Sequence, residues 1–385
     1  MDYRPNAARC EVLKPMKRNI RALVTGAGTG SSGNLIRALQ TIKPTPHIVG
    51  INYDRFVLKM SWARCNYLCP DPDSREFIKA IAAIIKRERI NVVLPTDDNI
   101  VKALSDARDR LPIELLLPRK KTIDLCQDKY ALNAFLRRRS IAAPLTYEVR
   151  SLPDIERIFA RFSRGGLLWC RARRGSRSVA AMPVATAEQA RAWITLWRDL
   201  HGTRVSDFTL GEYLPGRHII VQGLWRSGRL LRAETMEVLS YFAAGNNPSA
   251  TFSLSNLAKT VEASEALEVA LSAVQAIERM PSGTFIVELK ESVDGTPCIT
   301  EINAGRFPAG VTALLATGGD NMVETFACAA LGEVSPRVDP KAPTVERYLV
   351  RDIDSLPMVL SPAELEQDAR RADSARPNKQ GRRLK

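Results

Sequence analysis

Two short runs joined by a turn constrain this chain most: Gly283-Thr-Phe-Ile-Val-Glu288-Leu-Lys, then Cys298-Ile-Thr-Glu301-Ile-Asn303-Ala-Gly-Arg306, linked through Ser292-Val-Asp-Gly295-Thr-Pro297. Short runs rich in β-branched and apolar residues on either side of an Asp-Gly turn predict an antiparallel hairpin. Alternate residues on a strand share a face. Glu301 and Asn303 therefore point the same way, and an antiparallel partner brings Glu288 beside them. Two carboxylates and an amide are hard oxygen ligands of the kind Mg²⁺ takes together with phosphate oxygens, and Arg306 adds a guanidinium suited to phosphate. A solvated acidic face is the plainer reading of any single Glu here. Glu-x-Asn ending in Gly-Arg beside a second inward Glu is a rarer combination in surface hairpins.

At 385 residues the chain has room for two or three subdomains with ample core. Seven cysteines are scattered without a Cys-x-x-Cys framework and there are only three histidines, which argues against zinc and favours reduced thiols in the cytosol. No apolar leader of the secretory kind and no run of about 18 apolar residues is present, so a cytoplasmic protein without a membrane span is expected. The formal charge is +14. Basic residues cluster at Arg119-Lys-Lys121, Arg137-Arg-Arg139, Arg171 to Arg177 and Arg370 to Lys385. They come without a zinc finger, an RNP-like aromatic motif or a helix-turn-helix pattern, so a nucleic-acid partner rests on charge alone and is not expected.

Along the chain, residues 1–19 read as a flexible leader. Ile20 to Thr25, His47 to Asn52 and Asn91 to Pro95 read as buried strands, with a tight turn over Gly26 to Gly33 and helices over Asn34 to Gln40, Ser74 to Arg89 and from Ile100. Strands alternating with helices mean a parallel α/β domain, here about residues 20–117. A helix then follows Asp128-Lys129 as far as Arg139. Strands are expected at Leu167 to Arg171 and Ser178 to Met182, a helix at Ala187 to Leu200, and antiparallel strands at Thr209 to Leu214, Ile219 to Trp225 and Leu230 to Val238. The helix Ser264 to Glu278 would turn Leu267, Leu271, Val274 and Ile277 inward. The tail after Pro362 reads as a solvated helix or a disordered end.

Gly28-x-Gly30-x-x-Gly33 matches the dinucleotide fingerprint, with Asp54 near the distance of an acid that reads a ribose. A nicotinamide-dependent oxidoreductase is thus one alternative, and a non-catalytic basic binding protein another. Against the first, Gly also serves a tight strand-to-helix turn with no nucleotide present.

The order of elements resembles the ATP-grasp superfamily, most closely the branch of the carbamoyl phosphate synthetase large subunit and its stand-alone relatives. Asp128-Lys129 before Ser140-Ile-Ala-Ala-Pro144 looks like the family's Asp-Lys helix and the segment after it. Trp169-Cys-Arg171-Ala-Arg-Arg-Gly175-Ser176-Arg-Ser-Val179 looks like the strand and loop that cover the phosphates, with Arg171 where many members carry Lys. Glu212-Tyr213-Leu214-Pro-Gly216 looks like the hinge that reads adenine, and His218 stands where a ribose-reading Glu is common.

The resemblance implies an α/β N-terminal domain at 20–117, an ATP-grasp domain of two lobes at 118–335 with a lid lobe at about 145–208, and a C-terminal extension at 336–385 with a basic tail. It further implies an ATP- and Mg²⁺-dependent ligase, with Mn²⁺ an alternative metal, that activates a small-molecule carboxylate for attack by an amine or other nucleophile; a homodimer is an open expectation. Glu288, Glu301 and Asn303 would hold the metal. Lys129, Arg171, Gly175, Ser176, Glu212, Tyr213, Leu214, His218, Glu288 and Glu301 would contact ATP, and Arg306 with Arg171 would steady the transferred phosphoryl group. Thr96 to Asp98 and the Gly26 to Gly33 turn would face the acceptor.

Overall fold

The computed structural model describes residues 19–162, 166–175, 180–242, 255–307, 321–333, 346–350 and 370–371. The first sheet is parallel. Its strands β1 (Arg21–Thr25), β2 (His47–Asn52), β3 (Cys65–Leu68) and β4 (Val92–Leu94) alternate with helices α1 (Gly30–Gln40), α2 (Arg55–Leu58), α3 (Phe77–Glu88) and α4 (Asp98–Asp106). Leu23, Val24, Val49, Ile51 and Leu94 are buried, as strands covered on both faces must be. Polar residues at the strand ends start the helices. Thr29 caps α1 by accepting from the Ser32 amide, and Asp97 caps α4 by accepting from the Asn99 amide at 2.9 Å.

Two helices, α5 (Lys120–Cys126) and α6 (Lys129–Arg137), lead into a four-stranded antiparallel sheet. Its strand order is β5 (Thr146–Glu148), β8 (Phe208–Glu212), β6 (Leu168–Ala172), β7 (Met182–Val184), and α7 (Asp154–Arg161) and α8 (Ala187–His201) pack on it. The third sheet runs β13 (Pro297–Ala304), β12 (Gly283–Glu291), β9 (His218–Arg226), β10 (Arg229–Tyr241), β11 (Ser255–Thr260), β14 (Tyr348–Val350), and all its pairings are antiparallel. One face packs on α9 (Ser264–Ile277). Part of the other joins a core of Leu35, Ile36, Leu94 and Leu224 with Met322 and Phe326 of α10 (Met322–Ala330), which ties the parallel sheet to the large antiparallel one.

Four expectations need correction. The turn at the glycine-rich segment is shorter than expected: Gly30 and Gly33 lie inside α1. The strand expected at Ser178 to Met182 is Met182–Val184 instead, because Ala180 takes φ +58°, which no extended strand residue adopts; Ser178 and Val179 lie outside the described residues. Pro183 is tolerated there because β7 is an edge strand. On α9 the deepest residues are Ala266, Ala270, Ala273 and Val274, with Leu267, Leu271 and Ile277 flanking them, because small side chains let the helix lie close to the sheet. In the tail, Arg370–Arg371 form a short strand, β15, parallel to β3 at Tyr67 and Leu68. Of the expected leader at 1–19, residues 1–18 lie outside those described, as does most of the basic tail.

Candidate functional site

The hairpin β12–β13 carries the site. Glu288 stands directly opposite Glu301, and Asn303 opposite Ile286, so both carboxylates and the amide share one face. The Asn303 amide Nδ2 donates to Glu288 Oε1 at 3.3 Å and to Glu301 Oε1 at 3.2 Å. The register slips by one residue after Glu288, leaving Thr300 as a bulge. Its hydroxyl donates to the Glu288 carbonyl at 3.0 Å, and its own carbonyl is free to accept from Arg171 Nη2 at 2.9 Å. Through that bond the four-stranded sheet reaches the large one, since Arg171 lies on β6 and is 9% exposed.

Cations from three other parts of the chain surround the carboxylates. Lys129, first residue of α6, places Nζ 3.6 Å from Glu301 Oε2 and also donates to the Gly175 carbonyl. Arg306 Nε donates to Asp98 Oδ1 at 2.6 Å, so a residue of the parallel domain holds a guanidinium over the hairpin. Burial pushes the Glu301 carboxyl up, but Lys129, Arg171, the Asn303 amide and Arg306 outweigh it and hold it down to about 2. Glu301 is therefore ionised throughout the physiological range. Burial pulls the Arg171 guanidinium down against the opposing pull of Glu301 and Glu288.

His218 faces the same centre, with Nε2 3.4 Å from Glu288 Oε2 and Nδ1 hydrogen-bonded to the Tyr241 hydroxyl. Burial, and then Glu288, raise the Tyr241 phenol above its ordinary range. Glu212 ends β8 with its Oε2 accepting from the Leu145 amide at 2.7 Å. Tyr213 leans on Trp169, with ring centroids 6.2 Å apart, and Leu214 is buried. Gly175 takes φ +108°, and Ser176 lies outside the described residues.

Pattern reading missed the latch at Asp128. This residue caps α6 by accepting from the Ala131 amide, and both its oxygens accept from Arg173 Nε, at 2.8 and 2.9 Å. Arg174 adds a bond at 3.0 Å, and Arg173 reaches on to Glu148 Oε1 at 2.5 Å. Burial works against the charge of Asp128, and Arg173, the Ala131 amide and Arg174 more than offset it, so its pKa is lowered. The segment Arg173 to Gly175 is thereby fixed against the start of α6, beside Lys129. The signal available in the sequence was an Asp before a helix and an Arg pair 45 residues on, which does not say that they meet.

The geometry gives the dinucleotide-motif residues other work. Asp54 Oδ1 accepts from the Phe56 and Val57 amides and so caps α2, leaving that oxygen engaged by its own chain. Gly28 is a close-approach glycine, but what approaches is the chain itself: a Cβ there would lie 1.7 Å from the Val57 carbonyl oxygen.

No family model matches the chain, and no curated protein matches it by sequence. Solved structures match in shape. An L-amino acid ligase from Bacillus licheniformis superposes with a TM-score of 0.62 at 14% identity, covering 82% of this chain and 75% of that one. The biotin carboxylase domain dimer of Hydrogenobacter thermophilus 2-oxoglutarate carboxylase, in complex with MgADP, ADP and bicarbonate, gives 0.64 at 14% identity over 83% and 71%. Carboxyaminoimidazole ribonucleotide synthase from Aspergillus clavatus, complexed with ATP, gives 0.61 at 16% identity over 83% and 78%. The chain has the ATP-grasp fold. In that frame the parallel sheet is the α/β N-terminal domain, and the two antiparallel sheets are the two lobes of the ATP-grasp domain. Arg171 on one lobe and the Glu288, Glu301 and Asn303 set on the other face each other across the seam. Among the described residues no group of three or more His, Cys, Asp and Glu is placed to hold a metal. No helix among them is long and apolar enough to cross a membrane.

Proposed function

We propose that the protein is an ATP- and Mg²⁺-dependent ligase that activates a substrate carboxylate as an acyl phosphate and joins it to an amine or another nucleophile. The observation that carries this is the opposed Glu288 and Glu301 pair with Asn303 between them, ringed by Lys129, Arg171 and Arg306 on an ATP-grasp fold. The residues fit a hard cation: the two carboxylates are in direct register, and a rotation of the Asn303 amide presents its oxygen to the same point. Mn²⁺ would suit the same donors. Bound there, Mg²⁺ would neutralise phosphate charge. Lys129 and Arg171 hold the phosphates from the two lobes, and Gly175 and Ser176 cover them. Glu212, Tyr213 and Leu214 form the adenine side, with His218 near the ribose. Arg306, fixed by Asp98, steadies the phosphoryl group in flight.

A carboxylate oxygen attacks the γ-phosphorus, and the bond to the β-bridging oxygen breaks with release of ADP. The nucleophile then attacks the acyl carbon, and phosphate leaves with one oxygen of the original carboxylate. Mg-ATP, hydroxylamine and a set of carboxylic acids test this. Hydroxamate, ADP and phosphate are expected, with one ¹⁸O passing from labelled carboxylate to phosphate. AMP and pyrophosphate, or ATP consumption with no label transfer, would overturn it.

The proposal extends to the domain limits at 20–117, 118–335 and 336–385, with the lid at about 145–208. A homodimer and a cytoplasmic location belong to it as well. Cys69, Cys126, Cys170 and Cys298 are free and buried, which suits a reducing compartment.

The latch gives a further expectation. Asp128→Asn keeps an N-cap but removes the charge that binds Arg173 and Arg174, so the KM for ATP should rise by about tenfold or more while kcat changes less, given the ~1.5–3 kcal/mol of charge-assisted bonds. Initial rates of ADP release measure both constants. An unchanged KM would mean that Asp128 does not position the phosphate-covering segment.

A further inference from the structure

On β9, Gln222 is fully buried, and among the described residues neither its Oε1 nor its Nε2 has a hydrogen-bond partner. It sits in direct register with Ile286 of β12, which in turn faces Asn303 of β13, so Gln222 shares the face of the carboxylate pair. Two strand spacings, about 10 Å, separate it from Asn303. Directly opposite it on β10 stands Glu234; along the face Leu224 lies on one side and Ile220, paired with Met236 and Glu288, on the other, and Leu224, Ile220 and Met236 all pack on the core made with Phe307 and Met322. A primary amide with both ends unmet in such surroundings is unfavourable, and interiors keep few of them.

The chemistry of the missing partner follows from the two atoms. A carboxylate only accepts and would satisfy Nε2 alone; an ammonium only donates and would satisfy Oε1 alone. A planar edge that does both meets both atoms at once. We propose that Gln222 is a specificity-determining residue for the acid that the site activates, reading a carboxamide, lactam or urea edge on that acid; this rests on the ligase reading above. The amide is fully buried, so no bulk water competes with an acid bound against it. A site built to hydrogen-bond such an edge rejects an analogue that lacks it far more strongly than an apolar pocket rejects one methylene.

The test uses the full-length protein, Mg-ATP and hydroxylamine, with succinamate, 3-ureidopropionate and pyroglutamate against levulinate and valerate. Levulinate replaces the amide NH₂ of succinamate by methyl. Hydroxamate formation should favour at least one edge-bearing acid over levulinate and valerate by roughly a hundredfold in kcat/KM. Gln222→Leu should abolish that preference while leaving the KM for ATP unchanged and thermal stability equal or higher. Equal use of all the acids, or a preference that survives in Gln222→Leu, overturns the proposal. So does a marked loss of stability in Gln222→Leu, which would show a structural amide bonded to internal water. If no acid yields hydroxamate, the ligase reading fails, and calorimetric titration of the same acids then judges Gln222 on its own. Binding of an edge-bearing acid that Gln222→Leu abolishes would retain the recognition role, and its absence would remove it.

Discussion

Glu301→Gln is expected to lower ATP-dependent turnover by about two to three orders of magnitude, the range found when one preorganised electrostatic partner is removed, while the chain stays folded. The side chain keeps its size and its contact with Asn303, but the charge facing Lys129 and Arg171 is gone. ATP-dependent thermal stabilisation should shrink in parallel, because a ligand stabilises only in proportion to its affinity for the folded state. Asn303→Ala should act in the same direction and less severely. Full activity in Glu301→Gln, or a protein that fails only because it no longer folds, would remove the metal and phosphate role from this face.

Acid gives the same residue a second signature. The folded-state carboxyl lies at about 2 against an ordinary 4.5, so the unfolded chain binds the extra proton. The contribution of Glu301 to stability is thus fully present above pH 4.5 and is lost as the pH falls through 2. Denaturant unfolding at about pH 5 and about pH 3 should show the gap between wild type and Glu301→Gln narrowing with acidity. A gap that stays constant would mean that the surrounding cations do not act on this carboxylate as the geometry says.

The hairpin was legible because a period of two is written directly into residue order: Glu301, Asn303 and the turn at Gly295 fix which side chains share a face. The bulge at Thr300 was not, since one unpaired residue leaves no mark in composition, yet it frees the carbonyl that Arg171 holds. The same limit hid the Asp128 to Arg173 pair and the amide of Gln222, whose meaning lies in what surrounds them in space. On α9 the periodicity was right and the depth was not. Leu267 and Leu271 carry more hydrophobicity, but the alanines lie closest to the sheet because close approach favours the smaller side chain. Asp98 was legible as one of the polar residues after β4 expected to face the acceptor; that it fixes Arg306 required the contact between domains.

The glycine-rich segment yields the sharpest contrast among substitutions. Gly28 has φ +95°, and a Cβ there would lie 1.7 Å from the Val57 oxygen and 2.7 Å from its carbonyl carbon, both backbone atoms that cannot swing aside. Gly28→Ala should therefore destabilise the N-terminal domain by at least about 3 kcal/mol, because left-handed strain and a backbone clash act together. Gly33 lies inside α1, where an added methyl would meet nothing within 4 Å, and Gly30 opens the same helix with equal space. Alanine at Gly33 should be neutral or stabilising by up to about 1 kcal/mol through the lower entropy of the unfolded chain. A dinucleotide fingerprint asks for the reverse emphasis at its last position, where glycine serves close helix-to-strand packing. Denaturant midpoints of the two variants decide between these accounts. A stable Gly28→Ala, or a Gly33→Ala that costs as much as Gly28→Ala, would return the segment to the nucleotide-binding reading and take away the account in which these glycines serve the turn and its packing on Val57.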